Sequence, residues 1–296
     1  MEIHVTLLGT GCPSACVQRR GPAQLIRARG AGGTQNILVD CGSGVAQQLV
    51  AAGTPGAQID ALLITHYHTD HLIDFYQLVV SSWHQGRAQP WQVFAPRRAL
   101  AHIRAVMEAW RDERNGRIAF EKRPNSSRGL DVELHELAPG EFWNRDGLAI
   151  SAIEVDHGPV RPAYGFLFRA GDCRVMLSGD TAPCESLVEA ARDVDLLVHE
   201  VFLHEEMHPR EGLRTQATID AVATYHTLSS QVGEIAARAG ARALALTHFV
   251  PPEFDRSALL ARVQQAYAGP LFIGEDLMRF ELPRRHVHWR DFSARF

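Results

Sequence analysis

Long hydrophobic runs, lysines and paired cysteines are what this 296-residue chain has little of. No apolar run approaches the roughly 18 residues that a membrane helix needs, which argues against a spanning protein. The opening "MEIHVTLLGTG" carries neither the basic nor the apolar region of a secretory leader and reads directly as a strand and turn, so the expected location is cytoplasmic. The five cysteines, Cys12, Cys16, Cys41, Cys173 and Cys184, are odd in number and irregularly spaced, with no CxxC pair. That pattern excludes a disulfide framework and a cysteine-rich zinc site, and the thiols are expected to be reduced and mostly structural. The basic residues are almost all arginine, and the net charge of -4 disfavours a strongly electrostatic nucleic-acid binder while leaving room for a local basic patch. No linker, low-complexity stretch or internal repeat divides the chain, so one domain over residues 1–296 is expected. Its 46% hydrophobic and 22% charged content suits a soluble globular protein with a substantial core.

What is present is a succession of short apolar strands that end in polar clusters, with helices between them. "IHVTLLGTG" reads as a strand into a glycine turn, and "QLIRARG" with "QNILVDCGSG" as a hairpin. "GVAQQLVAAG" has helical spacing with a stop at Gly53. Ala61 to Ile64 forms a buried strand, followed by helices over "LIDFYQLVVSSWHQG" and from Arg97 to about Asn115, with the strand "WQVFAP" between them. The polar stretch from Arg123 to Glu141 resists assignment. "LAISAIEVDHG", "YGFLFRA", "CRVMLSGDT" and "DLLVHEVF" read as further strands, "SSQVGEIAARAG" as a helix and "ALALTHFVPP" as the final strand. Alternation of this kind predicts an α/β layered protein with reactive residues at strand ends.

The densest such end is "THYHTDH", Thr65 to His71. His66 and His68 are two apart, so in an extended or turn conformation their rings point to one side. Asp70 and His71 follow in the turn and can face a second point nearby. Imidazole with carboxylate suits zinc, manganese or iron. Two metal ions need roughly seven or eight protein ligands. The heptapeptide offers four, and His157 in "EVDHGP", Asp180 in "LSGDTAP" and His248 in "ALTHFVPP" offer three more, each at the end of an apolar strand.

"THYHTDH" followed by these three strand-end residues resembles the metallo-β-lactamase fold superfamily. "LLGTGCP", "LVDCGSG", "SGDTAPCE", "DLLVHEVF" and "YHTLSSQVGEIAARAG" look most like its ribonuclease Z and arylsulfatase branch. The resemblance spans most of the chain and implies a four-layer αβ/βα sandwich of two mixed β-sheets flanked by helices. It implies two zinc ions, with manganese or iron as substitutes. His66, His68 and His157 would hold one, Asp70, His71 and His248 the other, and Asp180 would bridge them. It implies a metal-bridging hydroxide as nucleophile, oriented by Asp70. Glu200 would support His226, and Asp40 would be a structural aspartate that holds ligand loops. A carboxylate that orients an imidazole also raises its pKa, favouring a proton-donating cation near a substrate anion.

The chain departs from transfer-RNA-processing ribonuclease Z enzymes, which usually insert a long arm between the strand-end histidine and the bridging aspartate. Here His157 and Asp180 are 23 positions apart, enough for a hairpin only. With the acidic net charge this favours a hydrolase of small-molecule phosphate di- or triesters or sulfate esters. The alternatives are a ribonuclease Z-type RNA endonuclease or phosphodiesterase, with nucleic acid as a less favoured partner, and a lactone or thioester hydrolase. Residues 72–143 hold four of the five tryptophans and form a candidate substrate-pocket or homodimer-contact segment. Core packing is the plain reading; the sharper one makes Phe75, Tyr76, Trp83 and His84 the wall of an apolar pocket. Arg161 either meets a substrate anion or is a solvated loop residue. His286 and His288, an HxH pair with no third ligand nearby, read as a terminal strand or surface segment. Metal analysis should return about two zinc ions per chain, lost to a chelator together with activity; a metal-free active protein would sink the binuclear reading.

Overall fold

Alternate residues of β1 (Glu2–Gly9) feed two different apolar layers, Ile3, Val5 and Leu7 on one side and Leu8 on the other. The same division recurs in β2 (Ala23–Gly30) and β3 (Gly33–Val39), where Leu38 turns away from Ile37 and Val39. It recurs again in β4 (Ala61–Leu63), and β5 (Trp91–Ala95) and β6 (Val132–Glu136) extend the sheet. Strands apolar on both faces must be covered on both. One face meets the helices α1 (Val45–Ala51), α2 (Phe75–His84) and α3 (Arg97–Ala109), while α4 (Arg111–Glu121) buries no residue of its own. The other face meets a second sheet, and the structure, a computed structural model, describes residues 1–296.

That second sheet contains β7 (Gly140–Arg145), β8 (Leu148–Val155), β9 (Ala163–Ala170), β10 (Cys173–Leu177), β11 (Leu196–Phe202), β12 (Leu244–Val250) and β13 (Leu271–Ile273). Helices α5 (Glu185–Ala190), α7 (Val232–Ala239) and α8 (Arg256–Val263) cover its outer face, with α6 (Gln216–Ala223) on the way between them. The chain then returns to the first sheet through β14 (Arg279–Leu282), β15 (His286–Trp289) and β16 (Phe292–Arg295), with β14 antiparallel to β1. Helix, sheet, sheet, helix: the expected four-layer α/β sandwich of two mixed sheets is present. Strands β3 to β6 and β10 to β13 run parallel, so their C-terminal ends gather on one edge of each sheet.

Three local expectations need correction. The helix expected from Arg97 to Asn115 is two, broken at Trp110, whose φ/ψ of −100°/12° leaves the helical region. Trp110 stacks on Tyr76 at 5.0 Å, a contact between α2 and the break that no local pattern encodes. β12 is not the last strand, since four short ones follow it. The unassigned stretch 123–141 holds β6 and the start of β7. Gly53 does follow the end of α1, at a φ of 70°. His286 and His288 lie on β15. No helix is long and apolar enough to cross a membrane.

Phe166, fully buried between the sheets, should test the packing. Phe166→Ala should cost roughly 3–5 kcal/mol in urea unfolding; a loss under about 1 kcal/mol would mean the inter-sheet layer is not close-packed.

Candidate metal centre

Asp40 follows β3 with a φ of 59°, a left-handed conformation at the point where its carboxylate meets the end of β4. There it accepts from the Thr65 amide at 2.9 Å and hydroxyl at 2.9 Å, and meets His71 Nδ1 at 2.7 Å. Thr65 in turn lies 3.0 Å from His66 Nδ1. The turn Thr69–His71 is tied back by Cys41 N–H, which donates to the His71 carbonyl at 2.8 Å. This approach is so close that a Cβ on Gly42 would stand 2.6 Å from the Asp70 carbonyl oxygen, which restricts the position to glycine. From the second sheet, Tyr164 N–H donates to the Thr65 carbonyl at 3.0 Å. His157, Asp180 and His248 arrive from the ends of β8 and β10 and from within β12.

These side chains converge. The ligating atoms of His66, His68, His157 and Asp180 lie within 4.8 Å of one another, as do those of Asp70, His71 and His248. Asp180 Oδ2 stands between the groups, 3.8 Å from His66 Nε2, 3.4 Å from His71 Nε2 and 3.2 Å from His248 Nε2. Asp70 Oδ2 is 3.3 Å from His248 Nε2 and 3.5 Å from His71 Nε2. The donor set fits cations. His66 Nε2 and His71 Nε2 are buried with no hydrogen-bond partner, and five imidazoles with two carboxylates are a mixed nitrogen and oxygen set.

The electrostatics of these side chains say the same. Burial opposes the charge on Asp180, yet His248, His71 and His66 hold its carboxyl well below the usual range. Burial likewise opposes protonation of His71, but Asp180, Asp70 and Asp40 raise it well above its ordinary value. His66 is driven far down by burial, and His68 down to about 4 by burial and then His157. The carboxylates thus collect whatever positive charge is available.

Glu200, in β11, uses Oε1 three times. It accepts from the amides of Thr181 at 3.0 Å and Thr227 at 3.2 Å, and meets His226 Nδ1 at 2.9 Å. Burial alone would lower the His226 pKa; Glu200, with Asp180 behind it, lifts it to about 9. The His226 ring sits 5.1 Å from that of His157 and 5.9 Å from that of His248, its far side toward the cluster.

The four residues expected to wall an apolar pocket divide between the core and α4. Phe75 and Trp83 are buried in the core under the first sheet, with Trp83 Nε1 donating to the Ser126 carbonyl. Tyr76 and His84 engage α4 through Glu113, Arg117 and Glu121. Helical spacing placed all four on one helix but could not tell which of its faces meets α3 and α4. Arg161 donates to the Gly158 carbonyl and to Asp156, so it braces its own exposed loop. Residues that sequence reasoning passed over include Thr65 and Tyr225, whose carbonyl takes His157 Nδ1 at 2.9 Å. Their adjacency to His66 and His226 was the available signal.

The sequence model of the beta-lactamase superfamily domain matches residues 35–249. The chain belongs to this superfamily. Among its relatives in the superfamily, a Ribonuclease Z of Mycobacterium marinum is 35% identical over 293 residues, covering 96% of this chain and 100% of the relative. A Ribonuclease Z of Mycobacterium avium is 36% identical over 288 residues, covering 95% and 98%. Of solved superfamily structures, the metallo-beta-lactamase fold protein YhfI from Bacillus subtilis aligns with a TM-score of 0.73 at 19% identity, over 95% of this chain and all of that one. Human tRNase Z, short form, aligns with a TM-score of 0.68 at 21% identity, over 95% and 99%. At these identities the likeness concerns the fold.

Asp40 holds both ends of the Thr65–His71 loop at once. Asp40→Ala should weaken zinc binding roughly 10- to 100-fold in chelator competition; unchanged affinity would reduce Asp40 to a core residue.

Proposed function

We propose that this chain is a metal-dependent phosphodiesterase acting on RNA, a hydrolase of the ribonuclease Z kind. The observation that carries this reading is the similarity to relatives named Ribonuclease Z along nearly the whole of both chains. The Mycobacterium marinum relative is matched over its entire length within 293 aligned positions, so it holds no long arm that this chain lacks. The short His157–Asp180 hairpin therefore does not separate the two substrate classes. The comparisons favour RNA over the small-molecule phosphate or sulfate esters that the sequence alone suggested.

His66, His68 and His157 would hold one divalent ion and Asp70, His71 and His248 a second, with Asp180 shared; zinc is the expected metal, and manganese or iron suit the same donors. Such ions, when bound, supply Lewis acidity and make water nucleophilic near neutral pH. The rest is the work of this chain's side chains. Asp40 and Thr65 fix the rings of His66 and His71 so that their Nε2 atoms face inward. His226, held by Glu200, presents its free nitrogen where a leaving oxygen gains charge and can donate a proton to it. The exposed Arg98 lies over Tyr67, between two of these histidines, with Nη1 3.1 Å from the Tyr67 hydroxyl, and suits a backbone phosphate.

A panel of a 3′-extended transfer RNA precursor, a nitrophenyl phosphodiester, an aryl sulfate and a lactone should show salt-sensitive cleavage of the RNA, lost on chelation. Hydrolysis of the small esters with no RNA cleavage would sink the RNA reading. His226→Ala should lower the RNA rate by roughly 10²–10⁴ and spare substrates with good leaving groups; equal losses across leaving groups would remove its role as acid.

A further inference from the structure

Every buried histidine of the cluster anchors the ring nitrogen that points away from it, with one exception. His66 Nδ1 has the Thr65 hydroxyl, His71 Nδ1 has Asp40, and His157 Nδ1 has the Tyr225 carbonyl. His248 Nδ1 is fully buried and has no partner. Its Nε2 faces Asp70 and Asp180. A metal bound there takes the Nε2 lone pair and leaves the ring proton on Nδ1, where it needs an acceptor.

Two further buried oxygens nearby are also unpartnered. One is Glu200 Oε2, whose twin oxygen carries all three of that carboxylate's contacts, and the other is Thr247 Oγ1. Glu200 and Thr247 are register partners across the parallel pair β11 and β12, so their side chains stand together on one side of the sheet. His248 would point to the opposite face of a regular strand. Its φ of 47°, together with the slip in register at Glu200/Val201, breaks the alternation and brings successive side chains to line the same space. Glu200, Thr247 and His248 all line one small cavity of about 20 Å³ beside the cluster, with Ser178 and Asp180. That volume holds one water, and a buried water typically makes about three hydrogen bonds to groups that otherwise lack partners.

We propose that a single buried water fills this cavity, accepting from His248 Nδ1–H and donating to Glu200 Oε2 and Thr247 Oγ1. Thr247 and Glu200 thereby become positioning residues for His248. One carboxylate then sets the orientation of two imidazoles, His226 directly through Oε1 and His248 through the water on Oε2. The inference rests on the reading of the cluster as a metal centre and is independent of whether the substrate is RNA.

A crystal structure of the zinc-loaded protein should show one ordered water within hydrogen-bond distance of all three atoms. An empty cavity, or His248 Nδ1 bonded directly to a protein oxygen, overturns the proposal. Thr247→Val keeps the shape and removes the hydroxyl. It should weaken one of the bound zinc ions roughly 10- to 100-fold in chelator competition and alter the absorption spectrum of the cobalt-substituted protein. Thr247→Ser should restore both, which a purely packing role of the methyl group would not predict. Unchanged affinity and spectrum in Thr247→Val overturn it. Should that variant fail to fold, the wild-type structure and Thr247→Ser still decide. RNA cleavage is not read in any of these measurements, so loss of zinc affinity in a protein inert toward RNA would support the water and count only against the substrate assignment. A wild-type chain that binds no metal would overturn both.

Discussion

The site is built around a carboxylate in the wrong place. Asp180 is buried at the common edge of two sheets, where an unpaired negative charge is costly, and imidazoles from His66, His71 and His248 crowd around it. Those imidazoles come from a turn after the first sheet's β4 and from within the second sheet's β12, so the charge is satisfied only when both halves of the molecule are folded against each other. A proton on His71 serves in part, and divalent cations held by His66, His68, Asp70, His71, His157, Asp180 and His248 would supply more positive charge. Arrangements elsewhere follow from this demand: the left-handed backbone at Asp40 and His248, the close approach at Gly42, and the hydrogen-bonded collar of Thr65, Asp40 and Tyr225.

Glu200 applies the same logic one layer out. Its carboxylate is equally buried, but backbone amides and a protonated His226 compensate it, which leaves a cation poised beside the cluster in place of another ligand. A carboxylate that metal would satisfy and a carboxylate satisfied by an imidazolium therefore sit side by side, and the His226 imidazolium can release a proton. This division would suit the proposed substrate, since the phosphodiester bonds of RNA have a poor leaving group.

How much of this could be read from the residues depends on the range of the cause. The positions of His66 and Asp180 just past β4 and β10 are legible because an apolar run followed by a polar residue is a local pattern, whereas His248, expected at a strand end, lies inside β12, which runs on to Val250. The layered fold follows from the succession of such runs. Features set by distant contacts were not legible. The break at Trp110 depends on the Tyr76 ring, and the return of β14 to β1 pairs residues at opposite ends of the sequence. The inward burial of Phe75 and Trp83 depends on where the sheet lies under α2. Thr247 was invisible for a related reason: its hydroxyl matters only because the register of β11 brings Glu200 alongside it.

Asp70 and His248 are 178 residues apart in the chain and 3.3 Å apart in space. An ion held by both would fasten the two sheets at their common edge, and so act as a cross-link in a protein whose five thiols are all free. Closing so long a loop costs only slightly more entropy than closing a short one, while the ion binds little to an extended chain whose ligands are scattered. On the proposed reading, the supply of metal would then set how long the molecule survives unfolding and proteolysis as well as whether it turns over substrate.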